Sequence, residues 1–219
     1  MGTLDYQSGL DKLKQRTGVV RQMFGPSRKE VWHALAENLQ GRYVCGGFWK
    51  GDKVQMDVGP WTITLDTFTE SHGETSTTYT RLRAPYVNPE CFRFRIYRTS
   101  IFTGIGKWLG MQDIAVGDAL FDDQFVIQGN SEERIHQLLR NTTIRDLLLA
   151  QPRVMFQVKD DEGWFGSSFP EGVDELEFRA IGVIKDLDQL KKLFDLFAET
   201  LEELCRIGSA YAEDPRVEL

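Results

Sequence analysis

The chain has 219 residues, of which 41% are apolar and 27% are charged, and its formal net charge is -7. This composition supplies enough apolar surface for one large domain or two small ones, and it excludes an intrinsically disordered chain. No stretch approaches the roughly 18 uninterrupted apolar residues of a membrane-spanning helix, and the N-terminus lacks the basic start and apolar run of a secretory signal. We therefore expect a soluble, cytoplasmic protein.

The charges are distributed unequally along the chain. Residues 1–110 contain 15 Lys and Arg against 10 Asp and Glu, whereas residues 111–219 contain 11 against 23. A protein that binds nucleic acid through bulk attraction is usually basic overall, so nucleic acid is not the favoured partner. Two explanations of the asymmetry stay open. Opposite charges meet within one folded domain, or they attract an anionic partner or a second copy of the chain.

Cysteine and histidine usage indicates no metal site, disulfide framework or nucleophilic triad. The cysteines are far apart and odd in number, no Cys/His cluster is present, and no serine lies in a G-x-S-x-G elbow. We expect small buried or semi-exposed thiols, suited to a reducing compartment, and surface or ordinary structural histidines. The residues concerned are Cys45, Cys91, Cys205, His33, His72 and His136.

The first predicted elements are an N-terminal arm over residues 1–25, either helical or irregular, and a capped helix. Gly25 and Pro26 break the arm. Ser27 and Glu30 have the spacing of a capping box, which predicts a helix that starts here and stops at Gly41. Residues 26–219 are predicted to form a single α+β domain.

Strands are predicted between residues 42 and 98, where the apolar period changes from helical to two. The segment 61–66 alternates apolar and polar residues, which indicates a strand with one buried face. Segment 92–97 repeats the alternation, and segment 75–83 is rich in Thr and Tyr. Short strands with short turns favour a mainly antiparallel sheet. The apolar, glycine-containing segment 100–112 predicts either a short helix on the sheet or a flexible loop, and we favour the helix.

The second half predicts a strand, two helices, two strands and a long final helix. Phe121, Phe125 and Ile127 are assigned to the first strand, and Asn130 or Ser131 to the following helix cap. A short helix over 144–149 and strands over 154–158 and 176–184 come next. The last helix starts at Asp186 and ends at Gly208, and its apolar residues recur every three or four positions. This stripe favours core packing over coiled-coil dimerisation.

One motif carries a resemblance to a known family. Residues 118–127 read DALFDDQFVI, with two phenylalanines four apart and flanked by acids, and a helix with Leu138 and Leu139 follows. The motif resembles that of an uncharacterised bacterial domain family in which a D-x-x-F-[DE]-x-x-F-x-[VI] strand precedes a helix with a double Leu. The resemblance extends over about residues 110–208, including the aromatic turn within 154–169. It implies a shared fold and no reaction, because the family has no established activity.

The candidate binding residues flank the predicted loop around residues 85–89. Two arginines precede this loop and two follow it, and residues of equal parity share one face of a strand. If the two strands are neighbours, guanidinium and tyrosine groups lie side by side and could bind phosphate, a carboxylate or an acidic helix, or stack on bases. The alternative is an ordinary outer face whose arginines pair with acids of the second half. The candidates are Tyr79, Arg81, Arg83, Arg93, Arg95 and Tyr97.

An acidic cluster gives a second hypothesis, a metal-assisted hydrolase that uses Asp118 and Asp122. Carboxylates are suitable ligands for Mg²⁺ or Ca²⁺. Asp122 and Asp123 would point to opposite faces of a strand, however, and the spacing does not match a calcium loop. Acids that keep strand ends soluble explain the same residues. The other acids considered are Asp113, Glu132 and Glu133.

The sequence therefore favours a non-catalytic binding or scaffold module with an α+β fold, in which a mainly antiparallel sheet packs against the capped N-terminal helix and the long C-terminal helix. It would act through the arginine-rich sheet face or the apolar segment 100–112. The expected partner is another protein or an anionic ligand, and a homo-oligomer is compatible with the sequence. We predict no cofactor, catalytic residue or metal ligand. The alternatives are the hydrolase and a single-stranded nucleic-acid binder.

Overall fold

A computed structural model describes residues 25–47, 51–101, 112–160 and 169–219. In these residues nine strands form one antiparallel sheet with helices packed on it, so the predicted α+β class is confirmed. The strands are β1 (Arg42–Val44), β2 (Lys53–Val58), β3 (Trp61–His72), β4 (Thr75–Val87), β5 (Phe94–Arg98), β6 (Gln112–Asp113), β7 (Phe125–Gly129), β8 (Met155–Lys159) and β9 (Val173–Ile181). The helices are α1 (Arg28–Asn38), α2 (Ala119–Gln124), α3 (Glu132–Arg140), α4 (Thr142–Leu149) and α5 (Leu187–Arg206).

The strand order differs from the order along the chain. The sheet runs β1-β2-β3-β4-β9-β8-β5-β7-β6, and every neighbouring pair is antiparallel. Strands β4 and β5, which follow each other in the sequence, are separated by β9 and β8. The hypothesis that the two arginine-bearing strands are neighbours is therefore wrong.

The core lies on the face of the sheet that α5 covers. Consecutive Cα partners form an apolar row across seven strands, and each member is at most 1% exposed. Full burial of such side chains contributes about 1.5–3 kcal/mol each. The Phe156 ring of this row meets the Phe197 ring of α5 edge-on, with centroids 5.6 Å apart. The row consists of Val54, Leu65, Leu82, Phe178, Phe156, Ile96 and Ile127.

Helix α1 begins as predicted. The Ser27 side chain accepts a hydrogen bond from the Glu30 amide, and the Glu30 carboxylate accepts one from the Ser27 amide, so the capping box is confirmed. The buried face of the helix includes Trp32 and Leu35. The helix ends at Asn38, and the residue in the left-handed region after its C-cap is Gln40, with a φ of 53°, and not the predicted Gly41. At Gly41 a Cβ would collide with the backbone carbonyl of Gln55 on β2. Only glycine permits this close approach.

Helix α5 is the longest helical element of the described residues. The Asp186 carboxylate accepts a hydrogen bond from the Gln189 amide at 2.9 Å, as the sequence predicts for the cap. The apolar stripe is buried and packs toward α1, α3 and α4 as well as the sheet, so it is core. The helix stops before Gly208, whose φ of 70° lies in the left-handed region. No helix in the described ranges is long and apolar enough to cross a membrane.

The segment assigned to a strand around Phe121 is a helix. Residues Ala119–Gln124 form α2, and the strand β7 starts only at Phe125. The Asp118 carboxylate caps α2 by accepting from the Leu120 and Phe121 amides. The four-residue spacing of Phe121 and Phe125 brings the two rings together, stacked with centroids 4.5 Å apart. A spacing of four residues is typical of one face of a helix, and the sequence analysis assigned it to a strand.

Four other predictions remain, and two of them concern residues outside the described ranges. Ser131, and not Asn130, caps α3. The N-terminal arm, apart from Gly25, and residues 102–111 of the segment 100–112 lie outside the described residues. The strand predicted over residues 61–66 was expected to bury one face only. Its middle is buried on both faces, because Thr64 is 0% and Asp66 6% exposed, against 0% for Ile63 and Leu65.

Candidate functional site

The face of the sheet opposite α5 carries a continuous polar row across all nine strands. Its members are Cα partners on neighbouring strands. On the seven strands that carry both rows, each polar member is adjacent in sequence to a member of the apolar row. The five central members are 0–8% exposed. Buried polar side chains require hydrogen-bond partners, so this face must contain a network. The polar row is Arg42, Gln55, Thr64, Arg83, Glu177, Gln157, Arg95, Gln128 and Asp113.

Asp66 anchors one part of this network. Its carboxylate accepts from Nε and Nη2 of Arg81, both at 2.9 Å, and from Nη2 of Arg83 at 2.7 Å. Burial alone would raise the pKa of the Asp66 carboxyl, but the two guanidinium groups outweigh burial and hold the pKa below its usual value. Both arginines therefore bind an internal carboxylate.

Glu177 anchors the second part. Its carboxylate accepts from Nε2 of Gln157 at 2.6 Å and from Nζ of Lys159 at 3.1 Å. Burial would raise the pKa of Glu177, yet Lys159 and the Gln157 hydrogen bond lower it below the usual value. The Gln157 side-chain oxygen accepts from Nε of Arg95 at 2.9 Å, so the amide connects Arg95 to Glu177.

Glu175 differs from the other acids of this face. It is fully buried, and neither carboxylate oxygen forms a hydrogen bond with any described residue. Its ion pair with Arg83 is loose, at 3.8 Å from Nη1 to Oε2. Burial raises the pKa of the Glu175 carboxyl to about 7, and the charge of Arg83 opposes this shift only in part. Glu175 is the incompletely satisfied acid of the network.

A half-buried aromatic–arginine patch lies beside Asp66 on the same face. The rings of Phe68 and Tyr79, which are Cα partners, stack with centroids 5.0 Å apart. Cζ of Arg81 lies 4.7 Å from the Phe68 centroid, and Cζ of Arg179 lies 5.8 Å from the Tyr79 centroid. We define the aromatic–arginine patch as Phe68, Tyr79, Arg81 and Arg179. All four residues of the patch are half-buried, so their rings and guanidinium groups remain partly accessible.

The structure divides the predicted binding residues into two groups. Tyr79, Arg81 and Arg83 lie on β4, whereas Arg95 and Tyr97 lie on β5, with two strands between them. Arg83, Arg95 and Tyr97 are buried, so only Tyr79 and Arg81 belong to the accessible patch.

Arg93 lies just before β5 and binds acids of the second half. Its guanidinium reaches Asp160 at 2.8 Å and Asp174 at 3.3 Å. Arg83 likewise meets Glu175. The basic first half and the acidic second half therefore form ion pairs within one fold. This is the first of the two explanations of the charge asymmetry.

The sequence analysis missed Phe68, Arg179, Glu175 and Glu177. The readable signal is in β9, where Glu175, Glu177 and Arg179 alternate with apolar residues. Such alternation predicts a polar file on one face of a central strand.

The acids of the hydrolase hypothesis serve local roles. Asp118 caps α2, and the Asp122 carboxylate accepts from the amides of Val116 and Gly117, both at 2.9 Å. Within the described ranges, no three His, Cys, Asp or Glu side chains converge in a way that could hold a metal ion. The His33 ring stacks on Tyr43 with centroids 3.7 Å apart. The three cysteines are free thiols. The expectation of buried or semi-exposed thiols holds for Cys205, which is half-buried, and is wrong for Cys45 and Cys91, which are exposed.

Comparison with known proteins adds little to this geometry. No protein-family model matches the chain, and no curated protein matches it. Among solved structures, the crystal structure of the mycobacterial trehalose monomycolate transport factor A has a TM-score of 0.48 and 7% sequence identity, over 81% of this chain and 94% of that chain. A likeness at this level supports no conclusion about function.

Proposed function

We propose that the protein is a non-catalytic binding module that binds an acidic segment of another protein through the aromatic–arginine patch. The observation that supports this proposal is the stacked Phe68–Tyr79 pair with a guanidinium group over each ring. Aromatic and arginine side chains are the residue types enriched at the energetic centres of protein interfaces.

The patch is held in place before any partner arrives. Arg81 is fixed by Asp66, and Arg179 by Glu70, with Nη1 to Oε1 at 3.3 Å, and by the sulfur of Met155. Ordered side chains on a sheet lose little rotamer freedom on binding, which favours affinity.

The guanidinium groups retain donors for an incoming carboxylate. Counting only hydrogen bonds to the described residues, Nη1 of Arg81 and Nη2 of Arg179 have no acceptor. Arginine donors next to an aromatic surface suit an acidic segment that also carries apolar or aromatic side chains. This is the chemistry expected of the partner.

The test is fluorescence anisotropy with a labelled peptide rich in Asp, Glu and Phe. We expect binding that weakens with salt and falls at least about tenfold in Tyr79→Ala and in Arg179→Ala. Arg134→Ala is a matched control, because Arg134 also lies over a ring, Phe92 at 6.0 Å, and pairs with an acid, Glu90 at 3.1 Å.

Three results would contradict the proposal. They are equal binding by the patch variants and the wild type, equal binding of a lysine-rich peptide, and an equal loss of binding in the control variant. Tighter binding of a single-stranded oligonucleotide than of the acidic peptide would replace the proposal with the nucleic-acid hypothesis.

A further inference from the structure

Two arginines of the aromatic–arginine patch lie directly opposite each other on neighbouring strands. Arg81 on β4 and Arg179 on β9 are Cα partners, so both side chains are on the polar face of the sheet. Directly opposite residues have their Cβ atoms about 4.5–5.5 Å apart, and like charges in this arrangement repel each other. An anion that contacts both guanidinium groups would relieve this repulsion.

Each of the two arginines uses only part of its guanidinium group within the fold. Arg81 donates to Asp66 through Nε and Nη2. Arg179 donates to the Met155 sulfur through Nε at 2.9 Å and to Glu70 through Nη1 at 3.3 Å. The remaining nitrogens, Nη1 of Arg81 and Nη2 of Arg179, have no acceptor in the described part of the chain, and both are accessible to solvent. The pair therefore offers one open donor group from each arginine.

The carboxylates that bind these two arginines compensate their charge incompletely. Asp66 is shared, because it also accepts from Nη2 of Arg83 at 2.7 Å, so one carboxylate serves two guanidinium groups. The side chains of Arg179 and Glu70 are 28% and 34% exposed, so water screens their ion pair. Positive charge therefore remains at the pair of arginines, and it favours a ligand with more than one negative charge.

Aromatic and apolar surface borders the two open donor groups. The stacked Phe68 and Tyr79 rings lie beneath the guanidinium groups. Ile181 follows Arg179 by two residues on the same face of β9, and its side chain is 49% exposed. A backbone bridge between Tyr79 and Gly182 holds this end of β9 beside β4. A ligand that combines an anion with a ring can therefore contact both kinds of surface.

We propose that the acidic segment bound at the aromatic–arginine patch carries a phosphorylated tyrosine, whose phosphate accepts hydrogen bonds from Nη1 of Arg81 and Nη2 of Arg179. This inference rests on the proposed function, since it names the group that the same patch recognises. A phosphate monoester has a charge of about −1.5 to −2 at pH 7 and three acceptor oxygens, so it can bind two guanidinium groups at once. A carboxylate has a single charge and two oxygens, and it compensates the pair less well.

The surface around the two arginines favours phosphotyrosine over phosphoserine. The ring of a phosphotyrosine lies against the Ile181 and Tyr79 side chains while its phosphate reaches the guanidinium groups. Both side chains retain exposed surface for this contact. A phosphoserine carries the same phosphate without a ring, so it leaves the aromatic and apolar surface uncovered. The ring contact therefore adds selectivity to the charge of the phosphate.

The test is fluorescence anisotropy of the full chain with four labelled peptides. They are identical to the peptide rich in Asp, Glu and Phe except at one central position, which holds tyrosine, phosphotyrosine, phosphoserine or glutamate. We expect the phosphotyrosine peptide to bind at least about tenfold more tightly than the tyrosine and glutamate peptides, because it makes two charge-assisted contacts. It should also bind at least about threefold more tightly than the phosphoserine peptide, because of the ring contact.

Two variants test the two contacts separately. Arg179→Ala removes one of the open donor groups and should reduce the preference for phosphotyrosine over tyrosine to about threefold or less. Arg134→Ala, the control used above, should leave this preference unchanged. Ile181→Ser should abolish the preference for phosphotyrosine over phosphoserine, and it alters an exposed side chain, so it decides the matter even if Arg179→Ala fails to fold. Its matched control is Leu120→Ser, at an apolar side chain of α2 that is 62% exposed.

The outcomes distinguish a failure of this inference from a failure of the proposed function. If the tyrosine and glutamate peptides bind as tightly as the phosphotyrosine peptide, the phosphate site is refuted and the binding of an acidic segment stands. If none of the peptides binds, both are refuted. Equal binding of phosphoserine and phosphotyrosine peptides, an unchanged preference in Arg179→Ala or in Ile181→Ser, or an equal loss in either control variant also overturns the inference.

Discussion

Asp66 on β3 and Arg81 on β4 are Cα partners, and their side chains form a two-point ion pair with both N–O distances at 2.9 Å. Arg83 joins the same carboxylate from two residues further along β4. Arg83 belongs to the buried polar row and Arg81 to the aromatic–arginine patch, so the Asp66 carboxylate connects the two. Removal of this carboxylate should affect stability and binding together.

We predict that Asp66→Ala destabilises the fold by about 3–5 kcal/mol, because it leaves two largely buried guanidinium groups without their carboxylate. Urea denaturation of the variant and the wild type measures the change. Asp57→Ala is the control, since its pair with Arg42 is about half exposed and should contribute no more than about 1 kcal/mol. Equal effects of the two substitutions would show that burial of the Asp66 network contributes nothing.

We predict that Glu175 makes stability fall as pH rises. Its folded-state pKa of about 7 lies above the ordinary glutamate value of about 4.3, so the folded chain binds the proton more tightly than the unfolded chain does. The resulting stabilisation is complete below about pH 4 and is lost as pH rises through 7.

Glu175→Gln tests this pH dependence. Between pH 5 and pH 8 the wild type should lose about 3 kcal/mol more than the variant does, as measured by urea denaturation at each pH. Parallel pH profiles of the two proteins would contradict the raised pKa.

Gly41→Ala should destabilise the fold by about 1–3 kcal/mol, since its Cβ would meet the Gln55 backbone carbonyl, which cannot rotate away. Thermal unfolding measures the effect. Gly47→Ala is a suitable control, because a Cβ there meets no heavy atom within 4 Å. An unchanged melting temperature in Gly41→Ala would mean that β2 shifts freely away from the end of α1.

Phe156→Ala should cost about 3–5 kcal/mol, because it opens a cavity in the centre of the apolar row. The ring contacts both Phe94, with centroids 5.7 Å apart, and Phe197 of α5. Leu120→Ala, at a side chain that is 62% exposed, should change stability by less than about 0.5 kcal/mol. A small loss of unfolding free energy in Phe156→Ala would show that the apolar row is not the centre of the core.

Elements whose signals are local were predicted well. The Ser27 capping box, the Asp186 cap and the apolar stripe of α5 depend on residues three or four positions apart, and all are present. The failure around Phe121 was also local, because acids that cap a helix were assigned to strand ends. The period of two predicted the strands, and the short turns between them predicted the antiparallel class.

The candidate site was predicted only in part. Tyr79 and Arg81 were identified because they share a strand with a conspicuous composition. Their neighbours Phe68 and Arg179 were missed, because the β3–β4 register and the β4–β9 pairing bring them to the patch. Phe68 lies 11 positions and Arg179 lies 100 positions from Tyr79 along the chain, and no local pattern encodes such contacts.

The residue pattern was sufficient for the fold class, the helix caps and the separation of apolar from polar faces, since those follow from backbone geometry within a few residues. The order of the strands, and with it the burial of Glu175 and the distance between Arg83 and Arg95, followed from packing alone. Long-range pairing depends on how β8 and β9 fit between β4 and β5 over the core, which is a property of the whole assembled sheet.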